Sequence, residues 1–196
     1  MIMGAPGSGK GTISKKITED FPFLHISSGD LLRKNLIENT PLGMKAKSYM
    51  EGGSLVPDEL MVNLIAETVH EVEEESHLLL DGFPRTLKQA ISLDTQLKVD
   101  RTMNLNVPKE IILERLTDRW LHPSSGRIYA YSYKPPIKAG VDDDTGEPLV
   151  RRSDDEPEVV MKRLEEYEAT AAELIDYYAE KGILSTFSGS KSDEIY

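Results

Sequence analysis

The chain has 196 residues, with 23 lysines and arginines against 34 aspartates and glutamates and a formal net charge of −11. That length builds one compact domain with room for small insertions, and the ordinary charged and apolar fractions exclude collagen-like and disordered classes. The acidic balance excludes a generic nucleic-acid binder, so any anionic ligand must be met by locally gathered cations, and the absence of cysteine removes a disulfide framework, a thiolate zinc site and a cysteine nucleophile and fits a reducing interior.

The sequence opens on Met1-Ile2-Met3, an apolar run read as a short first strand, with no charged or Arg-rich leader ahead of it. This start is abrupt, and the chain stops at Tyr196 just as a new segment begins, so truncation at one or both ends is expected. A helical pattern at Thr12–Asp20 follows, then a strand at Leu24–Ile26 and a helical excursion from Gly29 to Pro57, with one helix at Gly29–Glu38 and breaks at Pro41 and Gly52-Gly53. Helical period returns at Asp58–Glu74, Leu87–Leu97, Lys109–Asp118 and Glu156–Lys181, and strands are expected at Leu78–Leu80, Thr102–Val107 and Ile183–Phe187. The Leu78-Leu79-Leu80 run is the longest clear apolar stretch, far short of the roughly 20 residues of a membrane span, so no membrane partner is expected. Strand and helix alternate, which implies an α/β fold with a parallel sheet flanked by helices. Residues 120–155 break the rhythm with several prolines and glycines, and Arg127–Tyr133 alternates with period two, so this stretch reads as a small β insertion between two helices.

The most specific pattern is Gly4-Ala5-Pro6-Gly7-Ser8-Gly9-Lys10-Gly11-Thr12. Between an apolar strand and an amphipathic helix, its glycines turn backbone N–H groups inward around a phosphate, the helix N-terminus adds partial positive charge, and Lys10 reaches the β and γ oxygens. Gly11 stands where the general phosphate loop has Ser or Thr, and Thr12 follows it. A second pattern is Leu78-Leu79-Leu80-Asp81-Gly82-Phe83-Pro84-Arg85. A buried strand ending in Asp81 places a carboxylate at the C-terminal edge of the sheet, where Mg²⁺ and its waters need an anion, and Arg85 offers a planar fork to a second phosphate group.

Together with Ser27-Ser28-Gly29-Asp30-Leu31-Leu32-Arg33, Gln89, and Arg152-Ser153-Asp154-Asp155 ahead of Arg163, these residues resemble the successive signatures of the adenylate kinase family over essentially the whole chain. Within it, Arg119-Trp120-Leu121-His122-Pro123, Thr145-Gly146-Glu147-Pro148-Leu149 and Phe187-Ser188-Gly189 are most similar to the mitochondrial GTP:AMP phosphotransferase branch. The resemblance implies a discontinuous P-loop core (1–27, 57–118 and 156–196), a helical AMP-binding insertion (28–56) and a small β lid (119–155). It implies that AMP is held by Ser28, Arg33, Ser54, Leu55, Val56, Gly82, Phe83, Pro84, Arg85 and Gln89, with Arg152 and Arg163 closing on the transferring group. The chemistry agrees, since Arg33 and Arg85 fork onto a monophosphate and the Gln89 amide pairs with an adenine edge. The triphosphate falls to Gly7, Ser8, Gly9, Lys10, Gly11 and Thr12, with Arg115, Arg119, Ile128, Tyr129 and Ser190. By charge pattern alone Arg33 and Arg163 would be solvated helix positions.

The implied reaction is direct, reversible phosphoryl transfer from a nucleoside triphosphate, GTP or ATP, to AMP. It proceeds without a covalent intermediate, on Lys10, Mg²⁺ near Asp81, Arg85, Arg119, Arg152 and Arg163. In the insertion, His122-x-x-Ser125 and Asp142-x-x-Thr145 have the paired spacing of the zinc-binding lids of some family members. Neutral hydroxyls are poor Zn²⁺ ligands, so these four are expected to form a hydrogen-bond network instead. Two other classes share the phosphate loop, a GTPase switch and a non-catalytic nucleotide-binding module. No Asn-Lys-x-Asp base-reading motif or Asp-x-x-Gly switch with a Gln is present, and neither the loop nor the arginines are broken. A monomer in the mitochondrial matrix is expected by resemblance, with the cytoplasm as alternative.

Overall fold

The structure, a computed structural model, describes residues 1–73 and 75–196. Five parallel strands, β1 (Ile2–Gly4), β2 (Phe23–Ser27), β3 (His77–Asp81), β4 (Thr102–Asn106) and β7 (Leu184–Ser188), form one sheet in the order β2-β3-β1-β4-β7. Each lies within one residue of its expected place. Side chains alternate across the sheet, so Ile2, Leu79 and Leu105 pack with Ile13 of helix α1 (Lys10–Asp20) on one face. Met1, Met3, Ile26 and Leu80 point to the other face, against helices α4 (Asp58–His70), α5 (Leu87–Asp94) and α7 (Pro157–Glu180). Because all strands run the same way, Gly4, Ser27, Asp81, Asn106 and Ser188 finish on one edge. From β1 the chain leaves first toward β2 and β3 and later toward β4 and β7, and the crevice at such a switch point is where open α/β sheets bind ligands.

Helix α7 links two cores. Val160 and Leu164 pack with Ala5, Val107, Ile112 and Leu116 beside the phosphate loop and helix α6 (Lys109–Thr117), while Leu174 and Tyr178 enter the larger cluster. Each such buried side chain contributes on the order of 1.5–3 kcal/mol. Between β2 and α4 lie helices α2 (Ser28–Ile37) and α3 (Pro41–Glu51). Ser27 and Thr40 cap them, Thr40 Oγ1 accepting the Gly43 N–H at 3.0 Å with Pro41 in the first turn. The two helices touch at Gly43, where a β-carbon would stand 2.2 Å from the Asn35 carbonyl oxygen.

The β insertion holds an antiparallel pair, β5 (Arg119–Leu121) and β6 (Ile128–Ala130), and its stem is closed by reciprocal 2.8 Å hydrogen bonds between Leu121 and Val150. The strand expected to run to Tyr133 ends at Ala130. There the Ala130 carbonyl accepts the Lys134 N–H at 2.8 Å and the Asp118 carboxylate accepts the Ser132 N–H at 2.7 Å, turning the chain before Pro135-Pro136. Helix α5 ends at Asp94 rather than Leu97, where the ladder tightens and the Thr95 and Gln96 N–H groups donate to the carbonyls three residues back, Ser92 at 3.2 Å and Leu93 at 2.9 Å. Helix α4 ends at His70, and the expected end at Glu74 lies outside the described residues. A 3-10 turn at Ser153–Asp155 and a four-residue helix α8 (Ser192–Ile195) have no counterpart among the expected elements. Among the described residues, no helix is long and apolar enough to cross a membrane.

Candidate active site

A cleft of about 1820 Å³ opens at the C-terminal edge of the sheet, lined by the phosphate loop, the α2–α3 insertion, the Asp81–Arg85 turn, the β insertion and α7. Small-molecule pockets usually enclose roughly 300–1,000 Å³, so this volume suits two nucleotides. The cleft is lined by Gly7, Gly9, Lys10, Gly11, Thr12, Arg33, Ser54, Leu55, Val56, Asp81, Gly82, Pro84, Arg85, Gln89, Arg115, Arg119, Ile128, Arg152, Arg163 and Ser190. Four expected residues stand behind this lining. Ser8 is buried, with no hydrogen-bond partner for its hydroxyl among the described residues, and Phe83 belongs to the main core. Ser28 Oγ donates to the Gly82 carbonyl at 2.8 Å and so braces the Asp81–Arg85 turn. Tyr129, expected to touch the triphosphate, is 2% exposed, and its hydroxyl donates to Asp142 at 2.9 Å and accepts the Asp143 N–H at 3.0 Å. Its side chain is a structural part of the β insertion.

The phosphate loop needs glycine where φ is positive, at +80° for Gly7 and +96° for Gly9, and a β-carbon on Gly7 would meet Leu116 at 2.8 Å. Helix α1 then starts with no side-chain cap and no acidic residue in its first turn, leaving its N–H groups for an anion. Lys10 Nζ donates to the carbonyls of Gly4 and Ala5 at 2.8 and 2.9 Å, and burial pulls its pKa down to about 8 against the opposing pull of Asp81. Arg115 Nη1 and Nη2 donate to the carbonyls of Gly7 at 3.3 Å and Ser190 at 2.8 Å, tying the loop after β7 to the phosphate loop.

Across the cleft the arginines are held in place by acids. Arg152 donates twice to Asp154, both bonds 3.0 Å, and Arg163 Nη1 donates to the Asp154 carbonyl at 2.7 Å. Asp155, 1% exposed, takes two hydrogen bonds from Arg119, one of them 2.6 Å from Nε. Arg85 Nε donates to the Gly82 carbonyl at 2.7 Å and Arg33 Nη2 to Asp30 at 2.5 Å. Burial first, and then neighbouring arginines, push Arg85 and Arg152 down to about 10. Burial alone would raise Asp154, but Arg152 and Arg163 outweigh it and hold it down to about 2. Cations outnumber acids among the residues lining the cleft, and such a cluster favours a polyanion. Arg163 faces this cleft instead of lying on a solvated helix face.

Asp81 is 7% exposed at the end of β3, with His25 Nε2 3.3 Å from Oδ2. A single carboxylate beside the phosphate loop fits the needs of Mg²⁺, which binds through one or two carboxylates, waters and substrate phosphates. Residue-level reading missed four contributors: Asp154 and Asp155 as holders of arginines, His25 beside Asp81, and Asp58 beside Gln89. Only Asp154 and Asp155 carried a local signal, two acids directly following Arg152-Ser153. In the β insertion, His122 Nδ1 lies 2.7 Å from Ser125 Oγ and Thr145 Oγ1 donates to Asp142 at 3.0 Å. The network also recruits Glu147, 2.6 Å from His122 Nε2, and Arg127, which pairs with Asp142.

The adenylate kinase family model matches residues 2–183. The chain is 46% identical over 196 residues to "GTP:AMP phosphotransferase, mitochondrial" of Drosophila melanogaster, covering 100% of this chain and 90% of that protein. It is 43% identical over 199 residues to "Adenylate kinase 4" of Arabidopsis thaliana, covering 99% of this chain and 81% of that protein. A phosphate loop, an arginine-lined cleft and a full-length family match agree: the chain belongs to the adenylate kinase family and is a phosphotransferase acting on nucleotides.

Proposed function

We propose that this enzyme transfers the γ-phosphoryl group of GTP to AMP, GTP + AMP = GDP + ADP, as a monomer in the mitochondrial matrix. The observation that carries the chemistry is the convergence of Lys10, Arg85, Arg119, Arg152 and Arg163 on one cleft. The donor and compartment are supported by the Drosophila relative's name. Residues 28–56 serve as the AMP-binding segment, 119–155 as the lid, and the remainder as the core. The triphosphate lies along Gly7–Thr12 between Arg115 and the Ile128 backbone, and AMP lies between Arg33, the Ser54–Val56 segment, Arg85 and Gln89.

Catalysis in this reading is positioning and electrostatics. Lys10 exchanges the carbonyls of Gly4 and Ala5 for phosphate oxygens, and Arg85 draws the AMP phosphate toward the donor. Arg119, Arg152 and Arg163, already oriented by Asp154 and Asp155, meet the charge that spreads over the transferring group without reorganising at that moment. Asp81, through waters, would hold Mg²⁺, which when bound neutralises charge on the β and γ phosphates. The lid excludes water, which would otherwise compete with AMP for the phosphoryl group. ATP, the donor of an ordinary adenylate kinase, is the alternative. Initial rates with GTP, ATP and ITP at fixed AMP decide between them: kcat/KM for GTP should exceed that for ATP about tenfold or more, and a clear ATP preference overturns the donor assignment.

A further inference from the structure

The Gln89 amide sits in a network whose chemistry fixes which way round it faces. Gln89 is 1% exposed and lines the cleft beside Arg85. Its Nε2 donates to Asp58 Oδ1 at 2.8 Å, and its Oε1 accepts the Arg85 backbone N–H at 2.8 Å. Asp58, at the start of α4, is anchored in turn, since Thr86 Oγ1 donates to the same oxygen at 3.0 Å and accepts the Gln89 N–H at 3.1 Å. A carboxylate only accepts and a backbone N–H only donates. Turning the amide over would set Oε1 against the Asp58 charge and Nε2 against the Arg85 N–H, leaving two buried polar contacts unmade.

Each end of the amide keeps one unused capacity, an N–H on Nε2 and a lone pair on Oε1. An unconstrained carboxamide pairs with either purine edge by rotating. Adenine presents the N6–H donor beside the N1 acceptor, whereas a 6-oxopurine presents an O6 acceptor beside the N1–H donor, the reverse order. We propose that Asp58 is a specificity-determining residue, a positioning carboxylate that locks the Gln89 amide in the orientation that pairs with adenine and rejects 6-oxopurine monophosphates. The inference rests on the AMP-binding reading of this end of the cleft. Asp58 touches no substrate itself; it acts through Gln89 and, by the Oε1 to Arg85 bond, keeps base reading in register with the arginine that meets the phosphate.

The test compares phosphorylation of AMP and IMP by the full chain, since IMP carries the reversed edge without an added exocyclic amine. Asp58→Asn keeps the shape but offers a donor as well as an acceptor, so of the two contacts that fix the amide only the Arg85 N–H remains. The AMP:IMP ratio of kcat/KM should fall by about tenfold or more, with the change in the acceptor KM rather than in kcat, and Asp58→Glu should recover most of it. A ratio cancels differences in active fraction, so partial loss of folding does not obscure the result. Should the asparagine variant not fold at all, Asp58→Ser removes the same charge and reads the same ratio. An unchanged ratio overturns the proposal. If Gln89→Ala leaves the AMP KM untouched while AMP is still phosphorylated, the lock is wrong and the AMP reading stands. If the unsubstituted enzyme phosphorylates no AMP with any donor, the AMP reading fails and this inference with it.

Discussion

Lys10 rests on two carbonyls of its own loop in a setting that disfavours its charge. Burial brings its pKa to about 8, so in the ligand-free enzyme the ammonium loses its proton as pH rises past that value. Phosphate oxygens favour the charged form and lift the pKa again. Triphosphate binding therefore takes up a proton above pH 8, and by linkage affinity is flat below that pH and weakens above it, approaching a factor of about ten per pH unit. Titration calorimetry between pH 7 and 9.5, in buffers of different ionisation enthalpy, should show both the weaker binding and the proton uptake. A Lys10→Met variant should show neither. The arginines follow only at the top of that range, because even the most depressed, at about 10, are still roughly nine-tenths charged at pH 9.

Among the elements, the α2–α3 pair depends most on a single residue. A β-carbon at Gly43 would stand 2.2 Å from Asn35 O and 2.7 Å from Leu36 N, both backbone atoms. Gly43→Ala must therefore push α3 away from α2, at a cost of about 1–3 kcal/mol by the usual scale of overpacking. Denaturant unfolding should report that loss, and the AMP KM should rise with it, because in the proposed reading AMP meets Arg33 on α2 and Ser54–Val56 just after α3. Strands and long helices were legible because short apolar runs and 3.6-residue stripes are local signals. Tyr131–Tyr133 misled because period two continues past Ala130 while a distant carboxylate, Asp118, captures the chain. The Asp58–Gln89 bond joins positions 31 residues apart, and the His25–Asp81 contact spans 56, so no spacing in the sequence announces either. Arg33 and Arg163 read as solvated by local pattern, and only the family resemblance drew them inward.

At the scale of the whole molecule, acidic net charge and anionic substrates coexist because arginine is placed selectively. Eight of the nine arginines in the sequence, all but Arg101, line the cleft. Since core, α2–α3 insertion and β insertion all contribute to its walls, occupying both ends should raise the stability of the folded chain more than either nucleotide alone. At 100 times Kd each ligand adds about 2.7 kcal/mol, or roughly 5–10 °C in melting temperature for a chain of this size. Differential scanning fluorimetry with a non-hydrolysable GTP analogue, AMP and the pair checks this, and a pair no better than the analogue alone would argue against a two-nucleotide cleft.

The stem of the β insertion carries a further consequence. Leu121 and Val150 exchange hydrogen bonds across it, Arg119 opens β5 two residues before Leu121, and Arg152 follows Val150 by two residues. The two connections to the rest of the chain therefore swing together rather than separately. The two guanidinium groups are held from beyond the clasp, Arg119 by Asp155 and Arg152 by Asp154, so a swing of the insertion would leave the positive charge in place and change only what covers it.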